Sequence, residues 1–323
     1  MKHLGILCAA LVLAATHPAA FGQPYPNKPI RIIVPYPAGE SVDVITRLIT
    51  QRWSALLGQQ IIVDNRVGGG GLIGTGLAAK ATADGYVLLM GNVGTLAISP
   101  GLYKNLPYQV LKDFAPVSQV SNVPFFLFVS PAALSVTSVK DLIAYAKAHP
   151  GQVNFASTGV GSGLHLAGEL FKALAKIDLV HVPYKGVGQA LPELVAGKVQ
   201  MVFYPITFHS FVKEGKLRAL VITAAERSRV LPEVPTSAEI GMPELLASSW
   251  HAVVAPAGIP AERTQKLYQT LATVMADKEL REALVKNGAE PVGSSPEQLN
   301  RFLRAELAKW LKVIQFSGTK VEQ

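Results

Sequence analysis

A strand that breaks on proline and glycine and restarts as a helix occurs four times in this chain, which confines it to a few α/β architectures. The first copy runs from Ile30, Ile32, Ile33 and Val34 through the bend Pro35-Tyr36-Pro37-Ala38-Gly39-Glu40-Ser41 into residues 44–57. There Val44, Ile45, Leu48, Ile49, Trp53, Leu56 and Leu57 recur at the spacing of one helical face. The second copy passes from Ile61-Ile62-Val63 through Gly68-Gly69-Gly70-Gly71 to a helix over 72–81, and a further strand is expected at 87–90. The third joins a strand at 153–156 to Ser157-Thr158-Gly159-Val160-Gly161-Ser162-Gly163 and a helix through His165, Leu166, Leu170 and Leu174. The fourth joins 179–182 to Pro183-Tyr184-Lys185-Gly186-Val187-Gly188 and a helix over 189–195. A helix that restarts from such a bend leaves its first backbone N–H groups unpaired and partly positive. Each bend is therefore a candidate anion site.

Strands alternating with helices predict a mixed, largely parallel sheet, with ligands gathered at the strands' C-terminal ends. At 323 residues the chain is long enough for two such lobes. The uninterrupted apolar run 123–129 reads as a buried strand carrying the chain into the second lobe, and 250–256 as the return crossing. This predicts a two-strand hinge, with residues 23–122 and 249–323 in the first lobe and 123–248 in the second. A further strand is expected at 217–222. Two helical patterns between 261 and 312 are expected to cover the first lobe.

Composition removes several alternatives. Hydrophobic residues make up 49% of the chain and charged ones 16%, which fits a folded protein and not a disordered one. The net charge of +8 comes from scattered Lys and Arg with no run of four, so no nucleic-acid partner is expected. Residues 1–22 read as a signal peptide: Lys2, then an apolar run from Leu4 to Ala15, then Ala20-Phe21-Gly22 as a cleavage site. The run is too short to span a bilayer comfortably, and Leu7 before Cys8 is not the small residue a lipoprotein signal needs. Cleavage removes the only cysteine, leaving a mature chain that suits a bacterial periplasm.

Gly69-Gly70-Gly71-Leu72-Ile73-Gly74 spells the dinucleotide fingerprint, but the acidic residue required after the next strand is absent: Gly91-Asn92-Val93-Gly94 stands there. A dinucleotide-binding enzyme is the weaker alternative. Ser162 and His165 suggest a hydrolase, yet no G-x-S-x-G elbow surrounds the serine. One turn apart on a helix start, the serine can cap or donate to an anion while the histidine points into the cleft or serves the structure. The histidines show no two-ligand spacing for a metal, and no cofactor is expected. Hydroxyls at Ser41, Ser157, Thr158 and Ser162, set in glycine-rich helix starts, could clamp carboxylates from two sides with neutral donors. Tyr36, Tyr184, Phe203, Tyr204 and Trp250 add aromatic surface near the bends and crossings.

These motifs occur in one order that resembles the Bug family, the extracytoplasmic receptors of tripartite tricarboxylate transporters. The resemblance is carried by Tyr25-Pro26, Pro37-Ala38-Gly39 with Ser41 and Asp43, Asp64-Asn65-Arg66 with its glycines, and Asp84-Gly85-Tyr86. It continues through the stretch 156–171, Val182-Pro183-Tyr184-Lys185-Gly186, Gly215-Lys216-Leu217-Arg218, Val234-Pro235-Thr236 and Trp250 with Ala255-Pro256-Ala257-Gly258. It implies a type II-like periplasmic binding protein, a flytrap holding a small organic acid between its lobes, acting as a monomer with inner-membrane permease subunits as partners. It further implies binding without catalysis. A sensor subunit docking on a signalling kinase would use the same closure. By resemblance, Ala38, Gly39, Ser41 and Asp43 with Gly69 and Gly71 take up a carboxylate in the first lobe. Ser157, Thr158, Gly161, Ser162 and His165 contribute from the second, with Tyr184 and Tyr204 beside them.

Three positions depart from the family's pattern. Glu40 stands where a second glycine is common, and Gln200 and Tyr204 where acids are frequent. A carboxylate beside an anion loop disfavours a bare second anion. Glu40 must then either swing out to solvent or meet a cationic or hydrogen-bond-donating part of the ligand. The exchange at 200 and 204 points away from a zwitterionic amino acid and towards an aromatic or amphipathic acid.

Overall fold

The protein is described here by a computed structural model covering residues 25–321; the expected signal peptide over 1–22, with Cys8, lies outside the described residues. The first apolar stretch forms β1 (Ile30–Val34), with β2 (Ile61–Asn65) and β3 (Val87–Asn92) parallel to it on either side. A strand with neighbours on both edges and helices on its faces is buried on both sides, which is why β1 is apolar at Ile30, Ile32, Ile33 and Val34; Arg31, near its start, is exposed and pairs with Asp64. All three strands end on one edge of the sheet. Helix α1 (Ser41–Leu57) follows the first bend, buries Ile45, Ile49 and Trp53, and stops at Gly58, whose left-handed φ of 68° suits glycine. Helix α2 (Leu72–Ala79) follows the glycine bend.

The sheet is completed by β4 (Phe114–Pro124), β10 (Ser248–Pro256) and β11 (Glu290–Pro291), in the order β11-β4-β10-β3-β1-β2. The second sheet has the order β7-β6-β8-β5-β9. Its strands are β5 (Phe126–Val129), β6 (Asn154–Ser157), β7 (Val180–Pro183), β8 (Met201–Tyr204) and β9 (Arg218–Ile222). Here β6 is parallel to β7 and β8, while β5 runs against β8 and β9. The associated helices are α3 (Val139–Ala148), α4 (Gly163–Ala175) and α5 (Val187–Val195).

The apolar run 123–129 is not one strand. It breaks at Phe125, because the chain leaves one sheet there and enters the other. The return crossing lies at Ala247, and a third segment ties the two together. Phe125 N donates to Ala247 O (3.2 Å) and Thr223 N to Phe125 O (2.8 Å). The buried Thr223 hydroxyl lies 2.9 Å from Phe125 O and 2.5 Å from Ala247 O. One side chain thus clamps both crossings.

The tail departs from expectation in one respect. Helices α6 (Ala261–Ala276) and α7 (Lys278–Lys286) pack on the first lobe against α1. The last helix, α8 (Pro296–Ser317), starts from a Ser295–Gln298 capping box and packs on both β4 and α4, so it spans the two lobes. Its buried Glu306 carboxylate accepts from the indole N–H of Trp250 (2.7 Å) and of Trp310 (2.9 Å), fixing α8 to a crossing strand. One apolar core consequently runs from Val93 and Leu96 through Leu166 and Phe171 to Leu299 and Trp310.

Candidate functional site

The bends after β1 and β2 are latched together by Asp43, in the first turn of α1. Its side chain is 3% exposed. Asp43 Oδ2 accepts from Gly39 N (2.9 Å) and Arg47 Nε (3.0 Å), and Oδ1 from Asn65 Nδ2 (2.9 Å). Asn65 Nδ2 also donates to Tyr36 O (3.0 Å). Burial pushes the carboxyl up, but the bonds from Arg47, Gly39 and Asn65 outweigh it and hold Asp43 below the usual carboxylate range. The latch leaves the start of α1 open: the first bond of the helix is Val44 N to Glu40 O, and the Glu40 side chain does not cap it. The amides of residues 41–43 are left without helical partners.

The glycine bend owes its composition to crowding. Gly69, Gly70 and Gly71 all have left-handed φ, and a Cβ on Gly71 would stand 2.7 Å from Thr95 Cγ2 and 3.3 Å from the Tyr36 hydroxyl. At Gly74 a Cβ would meet Arg66 O at 2.5 Å. The glycines of the apparent dinucleotide fingerprint therefore serve close packing of α2 on the sheet. Tyr36 donates its hydroxyl to Asn92 Oδ1 (3.1 Å), which also accepts from Thr95 N (3.1 Å). This brings the end of β3 into the site beside the two bends.

Facing these is the loop from Ser157 to Gly163, propped from beneath. Ser157 Oγ accepts from Gly159 N (3.0 Å), donates to Gly159 O (3.1 Å) and lies 2.7 Å from His181 Nε2. With the hydroxyl proton spent on Gly159, His181 Nε2 serves as the donor. His181 stacks on His165 with ring centroids 3.8 Å apart. His165 Nδ1 accepts from Gly161 N (3.1 Å), while its Nε2 lies 3.7 Å from Glu169 Oε1. Burial pushes His165 down to about 3, helped by the charges of His181 and Lys172, and His181 down to about 4. Both rings are therefore neutral props at pH 7. Ser162 caps α4: its Oγ accepts from His165 N (3.2 Å), leaving the hydroxyl proton free to donate outward.

Between the two halves lies a cavity of about 520 Å³. Glu40, Gly70, Asn92 and Gly94 line it from the first lobe, and Thr158, Ser162, Gly163 and Leu164 from the second. Val93, Leu102, Phe125 and Tyr204 form apolar walls, with the Tyr204 ring stacked on Phe208 at 4.4 Å. Among the described residues no Lys, Arg or His lines it, and Glu40 is its only carboxylate. A larger cavity of about 960 Å³ lies behind the hinge between α4 and α8, but its lining is mainly apolar and lacks converging amides. The cleft is the better site on chemical grounds. It can hold an anion through backbone and hydroxyl donors, and it lacks an activated nucleophile. Ser162 bonds the backbone of His165, and the Nδ1 of that ring is taken by Gly161.

Residues 45–319 match the family of tripartite tricarboxylate transporter receptors, TctC. The chain belongs to that family. It is a family of receptors and not of enzymes. Protein BugT of Bordetella pertussis is 39% identical over 322 residues, covering 99% of this chain and 97% of its own. Among solved structures, Rpa4515 of R. palustris with adipate is 35% identical (TM-score 0.77, covering 92% of this chain and 99% of its own). MatC of Rhodopseudomonas palustris with bound malate is 31% identical (TM-score 0.73, covering 90% and 100%). The likeness bears out the two-lobed periplasmic binding fold expected from the sequence.

Within this TctC receptor, the residues expected at the site fall into three groups. Glu40, Thr158, Gly161, Ser162 and Tyr204 line the cleft. Ala38, Gly39, Ser41, Gly69 and Gly71 lie in the bends that frame it. Asp43, Ser157 and His165 are buried behind their loops as supports, and Tyr184 donates its hydroxyl to Glu193 (2.7 Å) outside the cavity lining. Gln200 is tied to Asn154 N and Gly197 O, so its side chain says nothing about the ligand. Asn92, Val93 and Gly94 were passed over, although the rule that ligands gather at strand ends pointed to them.

Proposed function

We propose that this receptor is exported through its first 22 residues and captures a small organic carboxylate between its lobes in the periplasm. It then presents the ligand, as a monomer, to inner-membrane permease subunits. The observation that carries this reading is the pair of opposed helix starts. Glu40, at the open start of α1, lines the cavity together with Gly163, Leu164 and the hydroxyl-bearing Thr158 and Ser162 at the start of α4, and among the described residues no cationic side chain lines it. Neutral, preorganised donors suit a carboxylate that must be released again. The adipate and malate held by Rpa4515 and MatC support the same ligand class. Val93, Phe125 and Tyr204 suit an aromatic or amphipathic body. Closure is a population shift driven by contacts made only when both lobes meet the ligand.

The test is a thermal-shift and calorimetric screen of the chain from Gln23 onward against aliphatic and aromatic carboxylates. A binding member raises the melting temperature with concentration, by about 2.7 kcal/mol of stabilisation at a hundred times its Kd, and is recovered unchanged. A screen in which no carboxylate shifts the transition, or in which product forms, overturns the reading.

A further inference from the structure

We propose that Glu40 acts as a built-in anion at the first-lobe end of the cleft, selecting monocarboxylates whose far end carries a hydrogen-bond donor over dicarboxylates. This rests on the reading that the cleft takes a carboxylate. Among the described residues the Glu40 side chain has no hydrogen bond or ion pair, and it is the only carboxylate lining the cavity. It stands at the N-cap of α1, where the helix dipole and the open amides of 41–43 favour a negative charge. That place is the one a ligand's carboxylate would take if the bend carried no acid. With Glu40 there, a second ligand carboxylate meets a like charge, and no Lys, Arg or His in the lining offsets the repulsion.

The other end of the cleft has no such occupant. The amides of Gly163 and Leu164 open α4, and the Ser162 hydroxyl has a proton to give. Thr158 lines the same wall without a side-chain partner among the described residues. This asymmetry orients the ligand, with its carboxylate on the α4 start and its apolar body along Phe125 and Tyr204. The far end is then an ammonium, amide or hydroxyl donating to Glu40. Burial already raises the Glu40 carboxyl above its ordinary value, and lobe closure around a ligand deepens that burial, which increases the need for a donor.

The experiment measures calorimetric affinities for chain-matched pairs, succinate with 4-aminobutanoate and adipate with 6-aminohexanoate, on the wild-type mature protein and on Glu40→Gln. The Glu40 side chain bonds no other part of the fold, so the variant folds and melts close to wild type. The expected result is wild-type preference for the amino acid of at least one pair by roughly tenfold or more, the scale of one partly screened charge contact. Glu40→Gln should shrink that ratio and improve dicarboxylate binding. Tighter binding of the dicarboxylates by wild type, or a preference unchanged in Glu40→Gln, overturns the inference while leaving a carboxylate receptor intact. If no carboxylate of any kind binds, the functional reading falls and the role of Glu40 falls with it.

Discussion

Replacing Ser162 separates two roles held by one oxygen. Ser162 Oγ caps α4 by accepting from His165 N at 3.2 Å, and its proton is available to a bound carboxylate. Ser162→Ala removes both. Loss of an N-cap costs about 0.5–2 kcal/mol of stability, which in a chain of this size lowers the melting temperature by a few degrees. Loss of a donor to a buried charged group costs about 1–3 kcal/mol of binding, or roughly 5- to 150-fold in Kd. Ser162→Gly distinguishes the two effects, because glycine is nearly as good a cap as serine, to within a few tenths of a kcal/mol. The glycine variant should melt close to wild type and still bind its carboxylate as weakly as the alanine variant. Calorimetry on the tightest ligand of the screen, paired with thermal melts of all three proteins, makes the comparison. Wild-type affinity in Ser162→Gly would show that the hydroxyl serves the helix alone and would remove it from the binding argument.

Two further expectations concern the scaffold. Gly74→Ala should destabilise the protein by about 1–3 kcal/mol, the usual cost of overpacking, because the new Cβ would stand 2.5 Å from a backbone oxygen; an unchanged thermal midpoint would refute the crowding account. His165, His181 and His251 are held neutral by burial, at about 3, 4 and 4. Below pH 6.5 the unfolded chain binds protons that the folded chain refuses, so stability should fall from pH 6.5 towards 4 by at most about 1.4 kcal/mol per pH unit for each ring. The carboxyl of Glu169, raised by burial, opposes this. Urea unfolding at pH 7, 6 and 5 gives the slope, and a flat profile would show that these rings titrate normally.

The parallel strands and glycine bends were legible because each element carries its own local signal: Ile30, Ile32, Ile33 and Val34 are apolar, broken only by the exposed Arg31, and Gly58, Gly69 and Gly71 mark backbone that other residues avoid. The side-chain directions inside the bends were not. Asp43 and Ser41 sit two residues apart on one helix start, yet Asn65 and Arg47 draw the acid inward. For His165 the sequence leaves open the cleft or a structural role, and only the approach of His181 from another strand shows why it turns beneath the loop. The span of α8 was hidden for a related reason. Leu299, Leu303 and Trp310 show that the helix has an apolar face, and nothing in their spacing tells which lobe covers it.

The helix that spans both lobes gives the receptor an affinity dial at a distance from its ligand. A closure that rotated the lobes about the Thr223 clamp would slide α8 against either α4 or β4, exchanging packing at the back of the molecule for contacts in the cleft. The binding free energy would then be the sum of the two exchanges. Substitutions at Phe302 or Val313, which line the cavity behind the hinge, can therefore retune how tightly this protein holds its cargo while the chemistry that recognises the cargo stays untouched.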